Sequence, residues 1–141
     1  MDRKNYVTNT DRKYLDVTQL RALSESVGSR PRLEEKWVRA LTFSPFIAFV
    51  TDEAKTLVGF GRIESDGIHY LIYDMCVNPQ MQGNGIGTAI IKSLLSQAEK
   101  SQISAIGLSA WTKKARSFYL KCGFVDSKTE LDLTNYMQIE I

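Results

Sequence analysis

The residues best placed to do chemistry in this chain lie in Gln82-Gly83-Asn84-Gly85-Ile86-Gly87-Thr88. An apolar run, Tyr70-Leu-Ile-Tyr-Asp-Met-Cys-Val77, precedes them and is closed by Asn78-Pro79. Behind them Ile86, Ala89, Ile90, Leu94 and Ala98 recur at helical spacing. The local expectation is strand, glycine-rich turn, helix. Such a turn leaves the first amide N–H groups of the helix unpaired, and the helix dipole adds partial positive charge, which makes an anion site. Glycine suits a backbone that a phosphate must approach closely, because a Cβ would stand in the way. Two familiar phosphate motifs do not fit. A nucleotide P-loop needs a lysine between its last glycine and the Ser/Thr, and Gly87 runs directly into Thr88. A dinucleotide site needs a third glycine, where Thr88 stands, and an acidic residue roughly 20 positions on at a strand end. Ala105–Ala110 offers none.

Elements that would position this loop can be read from the rest of the chain. At 141 residues the expectation is one domain, 1–141, with an ordinary core. The net charge of +2 is too small to argue for nucleic acid or an anionic membrane. No apolar run approaches the ~20 residues a bilayer requires, and the first residues, Met-Asp-Arg-Lys-Asn-Tyr, lack a signal-peptide core. Cys76 and Cys122 are too few for a disulfide framework. The expectation is a soluble cytoplasmic protein with reduced thiols and no metal.

An opening strand to about Thr8 is followed by a turn at Asn9–Asp11. Asp16 with Gln19 three residues on makes a capping-box pattern for a helix whose apolar face is Leu20, Leu23 and Val27, stopped by Gly28. A second helix is expected from Pro31, burying Leu33, Trp37, Ala40 and Leu41. From Phe46 the period changes. Phe46–Thr51, Leu57–Ile63 and Ile68–Val77 read as three antiparallel strands, with turns at Asp52–Lys55 and Ser65–Gly67. After the long helix, Ala105–Ala110 reads as a buried strand and Ala115–Cys122 as a short helix capped by Gly123; Val125 and Met137–Ile141 supply a closing hairpin. The fold class is α/β (α+β): a central mixed, mostly antiparallel sheet with helices on both faces.

Two motifs, in order and separated by a helix and a strand, carry a resemblance. Gln-x-x-Gly-x-Gly after a strand ending in Val-Asn-Pro resembles the pyrophosphate loop of the GNAT superfamily of N-acetyltransferases. Ala115-Arg-Ser-Phe118-Tyr119-Leu-Lys121-Cys-Gly123-Phe124 resembles that superfamily's Ala-x-x-Phe-Tyr-x-Lys-x-Gly-Phe segment. The order of elements matches over essentially the whole chain, although the first 45 residues carry no specific motif.

What the resemblance implies is acetyl-CoA as cosubstrate, with Gln82, Gly83, Asn84, Gly85, Ile86, Gly87 and Thr88 around its pyrophosphate. The backbone of Met75, Cys76 and Val77 would pair with the pantetheine arm and supply an oxyanion donor. Tyr119, in the resemblance, lies beside the sulfur as general acid; a phenol of ordinary pKa ~10 holds its proton at neutral pH. Asp74, in the strand before the loop, corresponds to a carboxylate that serves as base or orients the amine, with anchoring of a neighbouring loop as the alternative. The family's strand carries a bulge there, so alternation does not assign its face. His69 and Glu64 are lesser candidates for the base. The chain departs from the pattern at Thr112, where many relatives carry an asparagine that contacts the coenzyme arm. Lys113, Lys114, Arg116 and Lys121 form a basic cluster nearby, with Arg116 the expected phosphate contact and a solvated helix face the alternative.

The function expected is transfer of the acetyl group of acetyl-CoA to a primary amine, of a small molecule, by direct attack in a ternary complex. The alternatives are a protein or peptide acetyltransferase and a regulatory module that binds acetyl-CoA without catalysis. A covalent acyl-cysteine route is disfavoured, because no histidine is placed to activate Cys76 or Cys122. Homodimers are common in the family, so a homodimer is expected by analogy only.

Overall fold

A computed structural model describes residues 5–126 and 136–141. Strand β1 spans Val7–Asn9, helix α1 Val17–Ser26 and helix α2 Glu34–Thr42. Strands β2 (Phe46–Thr51), β3 (Leu57–Ser65) and β4 (Tyr70–Val77) lead to helix α3, Ile86–Lys100. Strand β5 (Ala105–Ser109), helix α4 (Lys113–Lys121) and strands β6 (Val125–Asp126) and β7 (Tyr136–Glu140) complete it. Residues 127–135, between the last two strands, lie outside the described residues.

Local sequence explains most boundaries. The Asp16 carboxylate accepts from Gln19 N–H at 3.1 Å and starts α1. The Gln19 side chain does not close a capping box on the Asp16 backbone. Its amide oxygen accepts from Leu57 N–H at 2.8 Å and ties α1 to β3. Gly28 ends the helix with φ 88, a left-handed value that glycine adopts without penalty. Helix α2 departs from expectation. It begins at Glu34 rather than Pro31, Leu33 precedes it in extended conformation, and the Leu33 side chain faces solvent. The cause is tertiary: Arg32 is drawn to Asp74 and to the face of Trp37, which holds the segment before α2 extended.

The strands form one mixed sheet in the order β1-β2-β3-β4-β5-β7-β6. All pairings are antiparallel except β4 with β5, which run parallel and meet at Leu71 and Gly107. Each face has its own core, divided by strand alternation. Ile47 and Phe49 of β2 pack with Leu20, Leu23, Trp37 and Leu41 of α1 and α2, while Ala48 and Val50 pack with Ile86, Ile90 and Leu94 of α3. Close approach of α3 requires Gly59 and Gly61 in β3. A Cβ at Gly59 would lie 2.6 Å from Ile86, and one at Gly61 2.9 Å from Ile90. Trp37 is fully buried, edge-on to Phe60 at 6.3 Å. Trp37→Ala is therefore expected to destabilise the fold by about 3–5 kcal/mol, read as a lower midpoint in urea unfolding. No helix of the described residues is long and apolar enough to cross a membrane.

Candidate active site

A cleft of about 460 Å³ opens where the C-terminal end of β4, the glycine loop, the start of α3 and one face of α4 converge. Parallel strands that part at their C-terminal ends make a natural ligand crevice, and β4 and β5 are such a pair. On its β3 side the end of β4 is paired, Cys76 with Phe60 and Val77 with Gly59, beyond a break in register opposite Gly61. Its other edge, from Met75 to Val77, borders the cleft.

The loop is built by backbone conformation. Gly83 and Gly85 have φ 86 and 79, and nothing lies within 4 Å of a Cβ built on either. Their need for glycine is therefore conformational rather than steric. Gly85 is the N-cap of α3, its carbonyl accepting from Ala89 N–H at 3.0 Å. The first-turn amides of Ile86, Gly87 and Thr88 are then the orphan donors of the helix, and these three residues line the cleft. Gly87 has a steric role: a Cβ there would sit 3.2 Å from the Phe118 ring, where α3 meets α4. Gln82 also lines the cleft and accepts from Lys114 Nζ at 2.8 Å, a bridge from the loop to α4. Asn84 turns back on its own loop, donating to the Met81 carbonyl at 2.9 Å, and is not part of the cleft wall.

Helix α4 forms the opposite wall. Thr112 borders the cleft and caps the helix, its hydroxyl accepting from Ala115 N–H at 3.0 Å. Ala115, Phe118 and Tyr119 face inward with it, the i, i+3, i+4 spacing of one helical stripe. Tyr119 is buried between Phe118 and Phe124, with ring centroids 5.1 and 5.7 Å away. Burial, with Cys122 and Cys76 nearby, pushes its hydroxyl up to about 12. It is a proton donor at any physiological pH.

Burial, reinforced by the charge of Asp74, also pushes the Cys76 thiol up to about 12, and burial raises Cys122 as well. Neither cysteine is an activated nucleophile. Tyr119 and Cys76 both have folded-state pKa values above their unfolded ones. Their stabilising contribution is thus complete below pH ~9 and is lost as pH rises toward 12. Unfolding free energy should be level from pH 7 to 9 and fall steeply from 9 to 12, as denaturant titrations across that range would show.

The other candidate residues fall elsewhere. Asp74 sits at the β4 bulge, where it and Met75 together oppose Gly61, and it adopts φ 57. Both of its carboxylate oxygens are engaged, Oδ1 by Arg32 at 2.9 Å and Oδ2 by Arg62 at 2.8 Å. These contacts turn it toward the α1–α2 side, next to the cleft but outside its wall. His69 stands exposed in the β3–β4 turn, Nδ1 3.0 Å from Asp66. The His69 side chain, then the amides of His69 and Ile68, hold the Asp66 carboxyl well below the usual carboxylate range. Glu64 accepts from Arg62 at 3.4 Å. Arg116 pairs with Asp126 and does not border the cleft. Lys114, two positions before it, is the cation that does. Met81, Ala115 and Phe118 also line the wall; for the last two the sequence signal is the helical stripe through Tyr119.

The donor set suits a coenzyme bearing a pyrophosphate and an extended amide-containing arm: orphan amides at α3, one bridging lysine, and an open strand edge between them. Comparison with known proteins agrees. Residues 32–134 match the family model for the acetyltransferase (GNAT) domain. An uncharacterized N-acetyltransferase, ycf52, of Porphyra purpurea is 36% identical over 124 residues, covering 85% of this chain and 70% of that protein. The chloroplastic serotonin N-acetyltransferase 2 of Oryza sativa is 32% identical, over 78% of this chain and 56% of its own length. A histone acetyltransferase of Glycine max is also 32% identical, over 78% and 52%. Among solved structures, an Escherichia coli GNAT family N-acetyltransferase in complex with CoA superposes with a TM-score of 0.76 at 12% identity, over 97% of this chain and 82% of that one. The chain belongs to the GNAT family and is an acetyl-CoA-dependent acetyltransferase.

Proposed function

We propose that the chain transfers the acetyl group of acetyl-CoA to a primary amine of a small molecule, by direct attack within a ternary complex. The observation that carries this reading is the state of the titratable groups around the cleft. A tyrosine that keeps its proton to about pH 12 stands in the wall beside two cysteines whose thiols are raised rather than activated. Such a site can protonate a departing thiolate but has no thiolate of its own to carry the acetyl group. The acceptor amine must therefore meet the thioester directly. Met75, Cys76 and Val77 line the cleft, and a backbone N–H of this segment would serve as the oxyanion donor. Bound acetyl-CoA supplies the activated acyl group. The protein's share is to hold the pyrophosphate at α3, to lay the arm along β4, and to offer the Tyr119 proton.

The small-molecule acceptor is favoured by the kinship with an enzyme named for serotonin, and the kinship with one named for histones makes a protein amine the competing reading. Calorimetric titration with acetyl-CoA, followed by thiol release with serotonin, polyamines, amino acids and lysine peptides, separates them. Release with free amines is the expected result. Release with peptides alone overturns the acceptor class, and coenzyme binding without any release points to a regulatory module. A homodimer remains the analogy-based expectation for the assembly, and sedimentation equilibrium tests it.

A further inference from the structure

One side chain closes the β4 wall of the cleft at its inner end. Val77 marks the outer end, beside the start of α3, where its side chain lies 3.7 Å from a Cβ built on Gly87. Met75, two residues back along β4, is the last residue of that strand to line the cleft. Its side chain is partly buried against the core beneath α3. The sulfur lies 2.5 Å from the point a Cβ would take on Gly61, and Ile90 and Leu94 come within 2.9 and 3.3 Å of the same point. The thioether therefore fills the gap between the bare backbone of β3 and the apolar stripe of α3. Methionine is elsewhere an adaptable side chain. Here a glycine and two aliphatic neighbours hold it in place.

Order along the wall decides what meets this plug. The orphan amides of Ile86, Gly87 and Thr88 stand at the Val77 end. Tyr119, the proton donor in the mechanism proposed above, is close enough to Cys76 for the two to interact electrostatically. A sulfur served by Tyr119 thus lies level with Cys76. The acyl carbons begin one bond beyond that sulfur and run on toward Met75.

Resting on the acetyltransferase reading, we propose that Met75 sets the length of the acyl group, its thioether ending the cleft just past a two-carbon chain. A propionyl or butyryl group continues into volume that the thioether already occupies. Close-packed interiors do not yield such volume freely, and one methylene too many for an apolar pocket costs roughly tenfold or more. Gly61 completes the device, because a side chain there would push the thioether back into the cleft. Selection for acetyl is then a property of the coenzyme wall and is independent of the acceptor.

Calorimetry with CoA, acetyl-CoA, propionyl-CoA and butyryl-CoA tests this without an acceptor. Affinity for each acyl-CoA is taken relative to CoA in the same form, which removes any change in binding of the coenzyme itself. The unaltered chain should bind butyryl-CoA about tenfold more weakly than acetyl-CoA. Met75→Ala deletes the thioether, leaving room for the extra carbons of butyryl, and should bring the two within about twofold. Met75→Leu is close in volume but shorter in reach. It should relax discrimination against propionyl-CoA by about threefold and retain that against butyryl-CoA; it also carries the test if circular dichroism shows the alanine variant unfolded. Equal binding of acetyl-CoA and butyryl-CoA by the unaltered chain overturns the proposal, as do unchanged ratios in the folded variants. Failure of the unaltered chain to bind CoA overturns the coenzyme reading and the proposal with it, whereas CoA binding with no acyl preference overturns the proposal alone.

Discussion

Gly85→Val is expected to weaken acetyl-CoA binding by about a hundredfold or more while the chain stays folded. The position has φ 79, a left-handed conformation that costs a β-branched residue about 1–3 kcal/mol. Nothing lies within 4 Å of the added Cβ, so the penalty is not a clash that unfolds the core. It is relieved instead by turning the peptide planes at the start of α3. Those planes carry the amides of Ile86, Gly87 and Thr88, whose convergence makes the anion site. Gly85→Asn is the discriminating control. Asparagine tolerates left-handed backbone better than valine, so it should bind at an intermediate level. Calorimetry with acetyl-CoA, alongside circular dichroism to establish folding, checks both. Normal binding by the valine variant would remove the loop from the coenzyme site.

Tyr119→Phe should lower kcat by about 10²-fold and leave the acetyl-CoA dissociation constant within about twofold. The change deletes one hydroxyl and keeps the ring that packs against Phe118 and Phe124, so the wall of the cleft survives. On the proposed mechanism, what is lost is the proton for the departing thiolate. The phenol stays protonated to about pH 12. Its titration therefore cannot produce any fall in rate of the unaltered enzyme below pH ~10. A pre-steady-state measurement of thiol release at saturating acetyl-CoA isolates the step. Unchanged turnover in the variant would assign the proton to water or to another group.

Much of the fold was legible because the signals are local. Strand β2 begins and ends at Phe46 and Thr51 as its β-branched and aromatic run indicates, and the Asp16 cap and the Gly28 stop act within one helical turn of themselves. The start of α2 was not legible. Proline is permitted at a first helical position, and nothing local announces that Leu33 stays extended while Arg32 reaches Asp74 and the Trp37 ring. The same contrast holds within the site. The glycine loop and the Tyr119 motif are short stretches whose spacing is their meaning. The pairing of Lys114 with Gln82, and of Arg116 with Asp126, joins α4 to elements 10 to 32 residues away, and no spacing rule says which of two neighbouring cations turns inward. Thr112 was open to a local reading as an N-cap, since its hydroxyl serves Ala115 three residues on.

The sequence by itself determined the glycine-rich turn before α3, the family and the sheet's three-strand approach to the cleft. Each rests on backbone preferences and on periodicities that operate within a few residues. Tertiary structure alone decided the insertion of β7 between β5 and β6, the face to which the bulge turns Asp74, and the two arginines that meet it there. The arginine contacts join residues 12 and 42 positions apart, where charge and packing act through space and the chain between them leaves no local trace.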